Sequence, residues 1–362
     1  MTRIAVVGAS GYAGGEVARI VASHPHLELG VLTADRHEGR PVRQVHPHLR
    51  TLGDQSFSGI DVEELSAHDV VVLALPHGYS GELGESLSKA RSDLVLVDLG
   101  ADRRLSDPQA WEHSYGGRHF DPWVYGMPEL VLAGGDTQRS RLEGATRIVA
   151  PGCNASAVTL ALAPLIHSGQ IDPADIVSTL SVAPSGAGRA LRDELLAAQR
   201  LSSAAAYAVS GSHRHIPEVI QNLRLAVSSA ATDAHAPADP AGWGLSLTPV
   251  LVPISRGILA VNTARVVSQE TAATLHQTLE RHYATEAFID LLPLGELPST
   301  GSVLGSNTVA LGVGFDPATS RVTVVSALDN LYKGTAGAAV QSLNIALGID
   351  EAAGLDANGV AP

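Results

Sequence analysis

The sequence predicts an α/β protein: a doubly wound parallel sheet joined to a second, α+β domain with a mixed sheet. Three observations carry that expectation. Apolar strand-like runs alternate with helical patterns through residues 1–150, whereas from residue 176 onward apolar runs follow one another with few helices between them. At 362 residues the chain also exceeds what one ordinary core organises, so two domains are expected.

The first element is Thr2–Val7, apolar and β-branched. It is followed by Gly8-Ala-Ser-Gly-Tyr-Ala-Gly14 and then by helical periodicity over residues 15–23. Between a strand and a helix, such glycines let the backbone turn tightly and approach a pyrophosphate, and the helix start offers its N–H groups to the charge. Gly8, Ser10, Gly11, Tyr12 and Gly14 are therefore candidate dinucleotide contacts. Their Gly-x-x-Gly-x-x-Gly spacing differs from the commoner Gly-x-Gly-x-x-Gly, so the strand–turn–helix context carries the argument.

A second strand over Leu27–Thr33 runs into Asp35-Arg36. Asp35 can accept from a ribose 2′-hydroxyl and Arg36 can grip the 2′-phosphate of NADP, and the residues alone leave both open. A third strand over residues 69–75 ends in Pro76-His77-Gly78, a helix follows over Tyr79–Ala90, and residues 94–98 form another strand. Ligands of such sheets bind beyond the strands' carboxyl ends, which places Pro76, His77 and Asp98 near the cofactor level. His46 and His48 flank Pro47 with no cysteine or carboxylate at ligand spacing, so no metal site is predicted.

Residues 147–156 hold the only cysteine. Residues 147–150 read as a buried strand, Pro151-Gly152 breaks it, and residues 155–166 suit a buried helix, which puts Cys153 at a helix start. A lone cysteine is often just a small buried hydrophobe. Here the helix macrodipole should lower the thiol pKa and favour the thiolate, the nucleophilic form.

Beyond it, the sequence predicts a strand over residues 176–182, a polar loop Ser185-Gly-Ala-Gly-Arg189 and a helix over residues 190–201. Residues 228–244 are Ala/Pro-rich and read as a surface loop. Residues 245–254 and 257–267 look like paired strands around Ser255-Arg256, residues 268–283 like an amphipathic helix, and residues 336–347 like a long helix of small residues. The formal net charge of −13 argues against a nucleic-acid or anionic-membrane surface. One cysteine makes no internal disulfide, no apolar segment stands ahead of a cleavage site, and no run has transmembrane length, so a cytoplasmic home is expected.

Together these residues resemble the N-acetyl-γ-glutamyl-phosphate reductases of arginine biosynthesis, relatives of aspartate-semialdehyde dehydrogenase. The resemblance runs through Gly8 to Gly14, Tyr125-Gly-Met-Pro-Glu129, Ala150-Pro-Gly-Cys-Asn154, Ser185-Gly-Ala-Gly-Arg189, His213-Arg-His215 with Pro217-Glu218, residues 249–257, and Asp329 through Gln341. It implies a Rossmann-type NADP-binding domain made of residues 1–150 and 329–362, with the catalytic domain, residues 151–328, inserted between. It also implies NADPH and a homo-oligomer, a dimer or tetramer. By the same resemblance Cys153 is the nucleophile, and His213 is an acid/base whose near-neutral imidazole can hold the thiolate as an ion pair. Ser185, Gly186 and Asn330 join the cofactor contacts, Asn330 against the nicotinamide. Arg104, Asn154, Arg189, His215 and Arg256 are expected to meet substrate.

In Asp102-Arg103-Arg104 the family's usual aromatic is absent, which leaves open which arginine is used. The alternatives are a reductase of a related acyl phosphate, aspartyl or carrier-linked aminoadipyl, and a dinucleotide-binding sensor without turnover.

Overall fold

In the computed structural model, which describes residues 1–189, 201–228, 242–267 and 269–360, the first sheet has six strands: β1 Thr2–Val7, β2 Leu27–Thr33, β3 Val70–Leu73, β4 Val95–Asp98, β5 Val124–Tyr125 and β6 Arg147–Val149. They pair in parallel in the order β2-β1-β3-β4-β6-β5. β3 is buried along its whole length, as its continuous apolar run requires of a strand covered on both faces. Chain order reverses at β1, which has β2 on one side and β3 on the other, so a crevice opens beyond its carboxyl end.

The Gly8 turn sits over that crevice. Gly8 has φ +76°, and a Cβ there would lie 2.3 Å from Ala74 O, so only glycine fits. The following helix spans Tyr12–Val21, three residues earlier than the apolar periodicity marks. Gly14 and Gly15 are already helical and buried, and a Cβ on Gly14 would lie 2.6 Å from Gly8 O.

The second sheet has seven strands: β7 Ile171–Val182, β8 Ala205–Ala206, β9 Leu245–Leu251, β10 Ile258–Val266, β11 Ile289–Leu291, β12 Val309–Asp316 and β13 Arg321–Leu328. Their order is β11-β12-β13-β10-β7-β9-β8, with parallel and antiparallel neighbours, so this sheet is mixed. β9 and β10 are not partners, contrary to the expected pairing: β7 lies between them, parallel to β9 and antiparallel to β10. The physical reason lies in their connection. Arg256 reaches Glu16 and Asp329, and Gly257 N–H donates to Asn330 Oδ1 at 2.7 Å, so the segment is drawn to the nucleotide side instead of closing a hairpin.

Two elements cross between the cores. Tyr332, Ala336, Ala339, Val340 and Leu343, in and before helix Gly337–Ala346, share a buried cluster with Ile4, Val6 and Val17. Conversely, Tyr125, Met127 and Leu130 pack with the second sheet's core. Helix Cys153–His167 is buried almost all round, which matches its apolarity on every face. The expected helix over residues 268–283 begins only at Ala272, because Thr271 caps it by accepting from Thr274 N–H at 3.2 Å. Residues 190–200 of the expected helix and 229–241 of the expected loop lie outside the described residues. Among the described residues no helix is long and apolar enough to cross a membrane.

Candidate active site

The dinucleotide turn is a backbone device. Helix Tyr12–Val21 starts at Gly11 with no side-chain cap and no acidic residue in its first turn, so its first N–H groups are left for an external anion. Ser10 and Gly11 are half-buried and Tyr12 is exposed, which opens the turn to a ligand. This geometry fits a pyrophosphate. Arg36 sits exposed in the turn Asp35–His37 just past β2, and Pro76 is exposed past β3. Asn330 is buried and donates to Ser185 Oγ at 3.0 Å, which brings Asn330, Ser185 and Gly186 together. Among the described residues no cluster of three or more His, Cys, Asp or Glu could hold a metal ion; His46 turns its Nε2 to Ala9 O at 2.9 Å.

The elbow at Cys153 is assembled from distant segments. Cys153 is the first residue of its helix, half-buried, with Gly152 as N-cap and no capping side chain. Gly152 N–H donates to Glu218 Oε1 at 2.7 Å, and Tyr125 OH donates to the same oxygen at 2.7 Å. Asn222 donates to Tyr125 OH at 2.9 Å, and Arg104 Nη1 stands 3.5 Å from Glu218 Oε2. From the other side Gly334 packs closely on Cys153, since a Cβ there would lie 2.8 Å from Cys153 Cβ. Cys153 Sγ is 4.0 Å from Asn154 Oδ1, and Asn154 Nδ2 is 3.3 Å from His213 Nε2, so Asn154 stands between the thiol and the imidazole.

The expected lowering of the Cys153 pKa does not hold. Burial pushes the thiol up to about 11, with Arg104 and the Asn154 backbone N–H acting the other way. A helix start contributes about 0.3–1 kcal/mol to an anion, whereas burying an ion costs several kcal/mol. Desolvation wins. The near-neutral titration expected of His213 is overturned by the same cause: burial, then His215 and Arg214, pull it down to about 3. Its Nδ1 also accepts His215 N–H at 3.1 Å, a bond the imidazolium would lose. His215 is likewise lowered to about 3 by burial and by Arg104 and Arg214. Burial thus favours the neutral thiol and neutral imidazoles over a thiolate–imidazolium pair.

The structure engages each arginine expected to meet substrate with protein groups. Arg104 is buried and donates to Ala150 O at 2.8 Å and Leu99 O at 2.9 Å, besides facing Glu218. Arg189 lies over the Tyr12 ring and donates to Val45 O at 3.0 Å, on the nucleotide side. Arg256 pairs with Glu16 and Asp329, also at the nucleotide helix. Arg103 is held by Asp121 O and Gly81 O between the Phe120 and Trp123 rings, so Arg104 is the one of the adjacent pair that reaches the elbow.

Glu218, Tyr125, Tyr207 and Tyr115 carried no role in the sequence reading. Glu218 had a signal: it and Asn222 fall four apart on the same helical face as Val219 and Leu223, a polar pair on an apolar stripe. Tyr207 had none, and it joins the site because its ring lies 5.8 Å from that of His213.

Comparison with known proteins follows the same division. A family model of the semialdehyde dehydrogenase NAD binding domain matches residues 3–133, and one of the semialdehyde dehydrogenase dimerisation domain matches residues 153–330. The chain is 54% identical over 359 residues, 99% of each chain, to an N-acetyl-gamma-glutamyl-phosphate reductase of Leifsonia xyli subsp. xyli. It is 47% identical, again over 99% of each, to the reductase so named of Acidothermus cellulolyticus. In fold it is similar to aspartate semialdehyde dehydrogenase II of Vibrio cholerae complexed with ASA, with TM-score 0.69, 18% identity, and 96% and 98% of the two chains covered. It is similar also to the Candida albicans aspartate semialdehyde dehydrogenase with NADP, with TM-score 0.67, 17% identity, and 95% and 98% covered.

Proposed function

The chain belongs to the N-acetyl-γ-glutamyl-phosphate reductase family, and from that premise we propose that Cys153 is the nucleophile through which it reduces N-acetyl-γ-glutamyl phosphate to N-acetylglutamate 5-semialdehyde and phosphate in arginine biosynthesis. The observation that carries this reading is the placement of Cys153 at an uncapped helix start, with Asn154 between its thiol and His213.

As Sγ attacks the acyl carbon, neutral His213 accepts the thiol proton, phosphate leaves, and a thioester remains on Cys153. In this reading the uncapped helix-start N–H groups at Cys153 and Asn154 receive the developing oxyanion, with Glu218 fixing the turn by holding Gly152 N–H. NADPH, when bound, supplies the hydride that converts the thioester into a thiohemiacetal. His213 gives its proton to the new oxygen, then takes it back as the C–S bond breaks and the aldehyde departs. Burial suits this part, because a neutral imidazole is the form able to take the first proton.

In this reading Gly8, Ser10, Gly11, Tyr12, Gly14 and Pro76 line the dinucleotide path, Arg36 meets the 2′-phosphate, and Ser185, Gly186 and Asn330 face the nicotinamide. Asn154 and His215 face the substrate beside Arg104. A second assignment, His215 as the acid/base, is favoured by one observation: its Nδ1 is buried with no hydrogen-bond partner among the described residues. We also infer a nucleotide domain of residues 1–150 and 329–362 around a catalytic domain of residues 151–328, a homo-oligomer (dimer or tetramer) and a cytoplasmic enzyme. The match to a dimerisation domain and the shared core of the C-terminal helix with β1 support the first two.

The test is phosphate-dependent reduction of NADP with N-acetylglutamate semialdehyde. Turnover with aspartate semialdehyde instead would move the chain to the related reductase, and cofactor binding without turnover would make it a sensor.

A further inference from the structure

We propose that Arg214 anchors the free α-carboxylate of the substrate, an inference that rests on the reaction just assigned. The substrate brings two anionic groups, an acyl phosphate at the reacting end and a carboxylate at the other. Yet Arg104, Arg189 and Arg256 are each engaged by backbone carbonyls, carboxylates or nucleotide-side residues. Arg214 differs from all three. It is exposed, has no carboxylate partner among the described residues, and sits between His213 and His215 in the chain.

What holds Arg214 is an aromatic platform. Its guanidinium carbon lies 5.2 Å from the centroid of the Tyr115 ring. Tyr115 in turn stacks on buried Trp111 at 4.6 Å and meets the His77 ring edge-on at 5.6 Å. A guanidinium laid over a ring keeps its in-plane N–H fork free, the geometry that takes a carboxylate bidentately. Trp111 and Tyr115 belong to the helix Pro108–Ser114 and its C-cap, whereas Arg214 belongs to the histidine loop, so the contact joins two separate segments.

The choice of carboxylate over phosphate follows from position. Arg104 stands 3.5 Å from Glu218, whose other oxygen accepts from Gly152 N–H beside Cys153, whereas Arg214 stands over the Tyr115 ring. Arg104 therefore adjoins the reacting carbon, where the phosphate is attached. Arg214 lies on the histidine side. The carboxylate is four bonds from that carbon, roughly 5 Å at about 1.5 Å per C–C bond with zigzag geometry, a span suited to a second, separate cation.

The oxidative direction separates the two anions, because the semialdehyde carries only the carboxylate and phosphate is a separate substrate. The experiment measures KM and kcat for wild type, Arg214→Gln and Arg214→Lys with N-acetylglutamate semialdehyde, with inorganic phosphate, and with 4-acetamidobutanal, the analogue lacking the carboxylate. In Arg214→Gln the semialdehyde KM should rise about tenfold to a hundredfold, the loss of a charge-assisted hydrogen-bond pair, while the phosphate KM and kcat/KM for 4-acetamidobutanal stay within about twofold. Arg214→Lys should recover part of the loss. A rise in the phosphate KM instead, or an equal fall in kcat/KM for both aldehydes, overturns the assignment while leaving the reaction intact. A wild-type enzyme inactive on the semialdehyde removes the reaction and this anchor together.

Discussion

The Gly8 turn and the Cys153 elbow are both uncapped helix starts, built by opposite means. At the turn, the uncapped start of helix Tyr12–Val21 leaves its backbone N–H groups open, and the requirement for glycine is local: a Cβ at Gly8 or Gly14 would strike backbone within the turn or at the end of β3. At the elbow, the groups come from far apart in the chain. Gly152 and Glu218 are 66 residues apart, Tyr125 and Glu218 are 93, and Arg104 donates to Ala150 across 46. The turn is a local device. An assembled one buries its charges, and burial then decides their protonation, which is why the thiol rises and the imidazoles fall.

If the two devices are independent, damage to one should spare the other, and the largest expected effect tests this directly. Cys153→Ala should abolish turnover and leave NADP affinity unchanged, as read by single-turnover acylation and fluorescence titration of the cofactor. Residual turnover would remove the covalent mechanism, and lost cofactor binding would join the two regions. Next in size, His213→Asn should lower the rate about 100-fold to 10,000-fold with little change in substrate binding, and His215→Asn should cost less. The reverse order would hand the acid/base role to His215.

The pH dependence sharpens the same point. With His213 pulled down to about 3, its neutral, proton-accepting form prevails above that value. With the thiol pushed up to about 11, thiolate gains about tenfold for each pH unit below it. Iodoacetamide alkylation of Cys153 in the ligand-free enzyme should therefore climb steadily from pH 6 to pH 9. A plateau beginning near pH 7 would restore the thiolate–imidazolium pair.

Smaller effects probe how each device is held. Glu218→Ala leaves Gly152 N–H and Tyr125 OH without their acceptor and Arg104 without its carboxylate, and should cost about 3–5 kcal/mol of stability in urea unfolding. A loss under about 1 kcal/mol would mean that packing alone holds the elbow. Arg36→Ala should weaken NADPH binding by about 1.5–3 kcal/mol and leave NADH nearly unaffected, since only the former carries the 2′-phosphate. Equal losses for both would show Arg36 to be a solvated loop charge.

Some of this was legible in the chain because its cause is local. The strand–turn–helix at Gly8 and the break at Pro151-Gly152 that starts the Cys153 helix follow from glycine conformation, proline and apolar periodicity within a few residues. The roles proposed for Cys153 and His213 rest on the resemblance of whole segments, which periodicity does not show. Only the tertiary structure decided that β7 separates β9 from β10, that Arg256 is bound to Glu16, and that Arg104 is neutralised by Glu218. Ion pairing and strand order depend on which distant segments meet, and an arginine in a sequence looks the same whether a carboxylate waits beside it or not. The thiol pKa shows the same limit in energy: the helix start that favours a thiolate is written in the chain, but the larger cost of taking that charge out of water depends on everything folded around it.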